Sequence, residues 1–73
     1  MVIQANTQTP KTFTSDTTLQ RTSQAVIYFT DDNSKGLNEW MQLNDEIPIA
    51  TVPANTTWYF YCNSDASMAE VSV

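Results

Sequence analysis

Histidine does not occur in this 73-residue chain, and cysteine occurs once, at Cys62. Without histidine there is no Ser-His or Cys-His pair, which removes the commonest way to activate a nucleophile. One cysteine excludes an internal disulfide. A structural zinc site needs four nitrogen or sulfur ligands, which one cysteine cannot supply. Glycine also occurs once, at Gly36, and charged residues make up only 15% of the chain. Basic residues number three, Lys11, Arg21 and Lys35, against eight acidic ones, for a net charge of −5. Three scattered cations do not make the clustered patch that binds phosphates, so nucleic acid is a poor partner. No apolar run approaches the ~20 residues that span a bilayer, so no membrane partner is expected. The opening segment MVIQANTQTPKTF lacks the apolar stretch of a secretory signal, so synthesis in the cytoplasm is expected. A lone free thiol fits a reducing compartment.

In place of charge the chain carries threonine, serine, asparagine and glutamine. Threonine is β-branched and favours strands; asparagine and serine favour turns. Two Trp, three Tyr and three Phe separate the sequence from disordered chains, which are poor in aromatics. Residues 1–73 read as one domain. A domain this small buries only about 60% of the surface its unfolded chain exposes. With neither disulfide nor metal to help, oligomerisation or docking on a larger body is the remaining route to stability.

Along the chain, short strands alternate with turn signals. Val2 to Ala5 opens as a strand. Asn6 to Lys11, with Pro10, reads as a polar connection. Thr12 to Ser15 carries Phe13 on one face, and Asp16 marks a turn. Thr17 to Ser23 alternates poorly, with Leu19 its inward candidate. Ala25 to Thr30 is the clearest central strand, with Ala25, Ile27 and Phe29 on one face and Val26 and Tyr28 on the other. Apolar residues on both faces predict cover on both, from a second sheet or a neighbouring chain. Asp31 to Gly36 is the strongest turn signal, and a positive φ is cheapest at Gly36. Leu37, Trp40 and Met41 match a helical face, but the segment is too short to sustain a helix alone. An irregular approach and a strand from Trp40 to Leu43 is preferred. Ile47 to Val52 contains Pro48, which marks an edge strand or a strand start.

The segment Ile47 to Val73, IPIATVPANTTWYFYCNSDASMAEVSV, is the most informative. A Pro-Ala-Asn turn leads into Thr56 to Cys62, where Trp58, Phe60 and Cys62 share one face and Tyr59 and Tyr61 the other. In the closing strand Ala69, Val71 and Val73 face one way, with Glu70 and Ser72 opposite. The expected fold is all-β: a small antiparallel β-sandwich or barrel of six or seven short strands.

No catalytic residue is expected. The carboxylate pairs Asp31–Asp32 and Asp45–Glu46 fall in turns, where solvated acids are ordinary. Asp31 to Ser34 offers alternating oxygen ligands, but Gly36 and Glu39 miss the spacing of a calcium loop. Asx hydrogen bonding in a turn is the plainer account, and no metal or cofactor is expected. Asn55-Thr56-Thr57 is formally a glycosylation site, and reads better as turn chemistry. Cys62 reads as a small buried residue. Trp40, Trp58 and Phe60 are expected in the core. Tyr28, Tyr59 and Tyr61 are the candidate interface residues, because tyrosine joins an apolar body to a polar tip. Two other readings stay open: such tyrosines stack on sugar rings, or they merely cover the rim of a small core.

Three pieces together carry a resemblance: the polar ANTQTP opening, LQRTSQAVIYFTDD, and TVPANTTWYFY followed by a short closing strand. The layout resembles small β-rich head-decoration and accessory virion proteins of tailed bacteriophages. TVPANTTWYFY is similar to their VPAGTTxYxY hairpins, and the likeness covers roughly the last two thirds of the chain. Asn55 stands where that family has glycine, and asparagine tolerates the left-handed backbone such a turn needs. The resemblance implies a non-enzymatic virion protein, made in the host cytoplasm and displayed in many copies on a major capsid or tail protein. The small core, the missing disulfide and the two-sided apolarity of Ala25 to Thr30 add the expectation of a homo-oligomer. A carbohydrate-binding module for host attachment is the alternative, and an enzyme accessory domain a third class.

Overall fold

The fold is taken from a computed structural model that describes residues 1–72. Eight strands follow one another: β1 (Val2–Ile3), β2 (Thr9–Phe13), β3 (Thr17–Arg21), β4 (Ile27–Thr30), β5 (Met41–Leu43), β6 (Ile49–Val52), β7 (Thr56–Tyr61) and β8 (Ala66–Ser72). A single 3-10 turn, Leu37–Glu39, precedes β5. The strands form two four-stranded sheets, ordered β1-β8-β3-β6 and β2-β7-β4-β5. Every pairing is antiparallel. The architecture is an open, all-β sandwich, with eight strands where six or seven were expected.

The order of pairing has a simple logic. The pairs β4·β5, β3·β6, β2·β7 and β1·β8 are nested, like the rungs of one long hairpin. The pairs β3·β8 and β4·β7 then close the hairpin's flanks on themselves. A long hairpin rolled in this way is the jelly-roll winding, one of the ways an all-β chain limits its exposed edges.

Period-two alternation fills the space between the sheets. Ile3, Phe13, Leu19, Ile27, Phe29, Leu43, Val52, Trp58, Phe60, Cys62, Ala66 and Met68 form one buried cluster. Phe60 meets Phe13 edge-on at 6.2 Å and stacks on Phe29 at 6.3 Å; Phe29 also packs on Trp58 at 5.6 Å. These are ordinary aromatic spacings. Trp40 is buried apart from this cluster, and its indole N–H donates to the Lys35 carbonyl at 3.0 Å, which pins the Asp31–Glu39 loop. The expected core residues Trp40, Trp58 and Phe60 are thus all buried.

Several local expectations need correction. Pro10 does not lie in a connection but within β2, opposite Tyr59. It is tolerated because β2 is an edge strand, whose outer side needs no N–H. Gly36 has φ −65°, so it supplies no left-handed turn. A Cβ there would meet only the Asn38 amide oxygen, at 2.9 Å, the tip of an exposed side chain that can turn away. The left-handed residues are Asn6, at φ 59°, and Asn55, at φ 62°. Asn55 therefore takes the backbone form expected of it. In β8 the inward positions are Ala66 and Met68, while Val71 is exposed; Val73 lies outside the described residues. Finally, β4 is a central strand whose Ile27 and Phe29 face is buried; on its other side Thr30 is also buried, while Tyr28, like Val26 just before the strand, stays half-buried.

The PANTT turn is fixed by bonds that the sequence does not advertise. The Asn55 N–H donates to the Phe13 carbonyl at 2.6 Å, and the Ala54 N–H to the Asp16 carboxylate at 2.8 Å. Trp58 donates its indole N–H to the Thr56 hydroxyl at 3.0 Å, which donates in turn to the Pro53 carbonyl at 2.6 Å.

Candidate functional site

Charge is placed in a distinctive way. Of the eleven charged residues, strands carry only Lys11, Arg21 and Glu70. All three occupy inward-facing positions. Lys11 lies opposite the buried Trp58, and its ammonium meets the Glu70 carboxylate of the other sheet at 2.6 Å. Arg21 lies opposite the buried Met68, with its side chain almost wholly covered. It pairs with Asp45 and donates to the Gln24 carbonyl at 3.1 Å. The remaining charges sit in turns, loops and the 3-10 turn. Among the described residues, neither outer sheet face therefore presents a charged side chain from its strands.

The two outer faces differ in character. That of β1-β8-β3-β6 is aliphatic and threonine-rich, with Val2, Ile49 and Val71 exposed. That of β2-β7-β4-β5 is aromatic. Tyr28 on β4 and Tyr61 on β7 are directly opposed, with ring centroids 6.4 Å apart and planes tilted by 48°. Tyr59 follows two residues before Tyr61 on the same face, between Pro10 on one side and Thr30 on the other. All three tyrosines are half-buried. The expected interface set is thus gathered on one sheet face, which period two demands for Tyr59 and Tyr61 and the β4·β7 register supplies for Tyr28.

Polar groups frame the rings. The Tyr61 hydroxyl donates to the Asn6 amide oxygen at 3.2 Å, and the left-handed Asn6 is itself anchored by its N–H on the Cys62 carbonyl at 2.8 Å. Gln42 lies opposite Tyr28. Thr12 and Thr57, opposed on the same face, share a hydroxyl hydrogen bond of 2.7 Å. Sequence reasoning missed Asn6 and Gln42. Their signal is weak, because both depend on long-range register.

Chemistry beyond contact finds little footing. A cleft of about 250 Å³ opens at one end of the sandwich, lined by Lys11, Phe13, Ser15, Thr17, Glu70 and Ser72. Its two charged groups, Lys11 and Glu70, pair with each other, and the Ser15 and Ser72 hydroxyls share a hydrogen bond of 3.2 Å. Asp32, in the Asp31–Gly36 turn, accepts the Ser34 hydroxyl at 2.6 Å and the Ser34 N–H at 3.0 Å. These Asx bonds hold its carboxyl below the usual range, the hydroxyl contributing most. Among the described residues, no three His, Cys, Asp or Glu side chains group as metal ligands. Cys62 is buried, with its thiol 3.4 Å from the Ile3 carbonyl. Burial pushes that thiol up, with the Asp65 charge adding to the effect. Such a thiol is a poor nucleophile. Among the described residues, no helix is long and apolar enough to cross a membrane.

In comparisons with known proteins, no family model matches the chain, and neither a curated protein nor a solved structure does.

Proposed function

We propose that this chain is a non-enzymatic structural protein of a virion, of the capsid-decoration type. It is made in the host cytoplasm and docks in many copies on a major capsid or tail protein. Tyr28, Tyr59 and Tyr61 supply the contact. The observation that carries this reading is the tyrosine face itself: three half-buried rings on a sheet that presents no charge from its strands. Tyrosine is enriched and charge depleted at the centres of protein interfaces. Support of a second kind comes from the winding, since jelly rolls build viral capsid domains. That support is an analogy of fold, and one fold hosts many functions. The TVPANTTWYFY segment adds the likeness to virion hairpins.

The second reading is a carbohydrate-binding module for host attachment. The amides of Asn6 and Gln42 beside the rings favour it, because a sugar needs both a stacking surface and hydrogen-bonding groups. Lectin domains share the same winding.

Purified virions from the source, searched by mass spectrometry, test the first reading. The chain is expected in many copies per particle, and purified protein is expected to rebind particles stripped of it. Absence from the particles overturns the reading. A glycan array separates the second: a decoration protein leaves it blank, and a module of the alternative class gives sugar-specific signal.

A further inference from the structure

The sandwich has four free strand edges, at β1, β6, β2 and β5. Proteins blunt such edges with short strands, proline, charge or bulges, since an exposed row of N–H and C=O groups invites another strand. β1 is two residues long and β5 three. β2 carries Pro10 and Lys11. β6 has none of these devices. Its sequence is Ile-Ala-Thr-Val, it pairs with β3 without a break in register, and Ile49 is half exposed, as is Ile47 just before it.

The hydrogen-bonding phase of β6 follows from one contact. The Arg21 N–H donates to the Pro48 carbonyl at 2.9 Å, so Arg21 and Pro48 form a hydrogen-bonded pair. Antiparallel ladders alternate bonded and non-bonded pairs. Leu19–Ala50 and Thr17–Val52 are then the other bonded pairs, and the N–H and C=O groups of Ile49 and Thr51 point away from β3. No turn, loop or side-chain bond reaches those groups among the described residues. Pro48 does not block the edge, because its missing N–H would have served β3.

We propose that β6 pairs antiparallel with β6 of a second copy of this chain, about a twofold axis at Ala50. Ile49 of each copy exchanges N–H···O=C bonds with Thr51 of the other, and the two sheets join into one of eight strands. Three features select a second copy over a foreign strand. The outward groups at Ile49 and Thr51 are self-complementary under a twofold axis. The meeting segment, Pro48 to Pro53, carries no charge, which matters for a chain of net charge −5. Antiparallel order also sends Asp45 and Glu46 of the two copies to opposite ends. An edge contact of this size sits at the small end of specific interfaces, below about 1,200 Å² in total. The dimer is therefore concentration-dependent. It uses the sheet opposite the tyrosine face and stands independently of the function proposed above.

Sedimentation equilibrium over a range of concentrations tests this, with native-state hydrogen exchange on the same samples. Wild type is expected to rise from 8.2 kDa toward twice that mass. The amides of Ile49 and Thr51 gain protection as the dimer forms. Ile49→Lys and Thr51→Pro, checked for wild-type circular dichroism, are expected to stay monomeric, while Tyr59→Ala dimerises like wild type. The proposal is overturned by a wild type that stays monomeric throughout, or by a folded Ile49→Lys that dimerises unchanged. Should both edge variants fail to fold, exchange on wild type decides alone, and a dimer without new protection at Ile49 and Thr51 overturns it.

Discussion

Tyr28 and Tyr61 face each other across β4 and β7, ring centroids 6.4 Å apart, on the side of the sheet turned from the core. A cross-strand aromatic pair contributes only about 0.2–1 kcal/mol to a sheet. The fold therefore survives without either ring, and their exposed surface remains available for contact. That separation between what holds the sandwich and what it presents makes the two roles testable one at a time.

Trp58 is on the other side of the same strand, packed on Phe29 with its indole N–H bonded to Thr56. Trp58→Ala is expected to cost about 3–5 kcal/mol, as for other large-to-small changes in cores. A single core in a chain this small supplies roughly 3–5 kcal/mol in total, so the variant should populate unfolded chain at ambient temperature. Urea titration followed by circular dichroism measures the loss. A variant within about 1 kcal/mol of wild type places Trp58 outside the working core.

Asn55 and Asn6 share a left-handed backbone but differ in what their side chains do. Asn55→Val is expected to cost about 1–2 kcal/mol, because a Cβ strains that conformation and asparagine relieves it locally. Asn55→Gly should be neutral to within about 0.5 kcal/mol. Asn6→Gly keeps the backbone but loses the Tyr61 hydrogen bond, at about 0.5–1.5 kcal/mol. Denaturant midpoints of the three variants give the comparison, and equal costs for the two glycine variants would contradict it.

The buried thiol of Cys62 gives a pH signature. Its pKa is raised in the folded state, by burial first and the Asp65 charge second. The folded chain therefore holds the proton more tightly than the unfolded chain. The associated stability is complete below the ordinary thiol value of 9.0 and is lost as pH rises through the raised one. Wild type should lose more stability than Cys62→Ala over that alkaline range. Thiol reagents should modify only the unfolded fraction; full modification of the native protein at neutral pH rules this out.

What could be read in advance depended on how strictly each strand alternates. Thr56–Tyr61 and Cys62 alternate without exception, so Trp58, Phe60 and Cys62 were legible as core and Tyr59 and Tyr61 as outward. β3 was harder, because its inward positions are Thr17, Leu19 and Arg21, two of them polar. It is the strand that alternation favours least, and Leu19 is its one legible inward position. Pro10 read as loop because proline's missing N–H is harmless only at an edge, and edges are a property of the rolled sheet. The same holds for the site: Tyr28 meets Tyr61 through a long-range register that no local pattern encodes.

The central claim is that the tyrosine face binds a larger body and does not hold the fold. Co-sedimentation of Tyr59→Ala and Tyr61→Ala with particles stripped of this protein tests it most directly, with circular dichroism on the same preparations. Interface anchors of this kind carry upwards of about 1–2 kcal/mol each. Each variant is expected to keep the wild-type spectrum and bind about tenfold more weakly or worse. Variants that stay folded and bind like wild type, or that unfold while Trp58→Ala remains folded and merely fails to bind, would contradict the account.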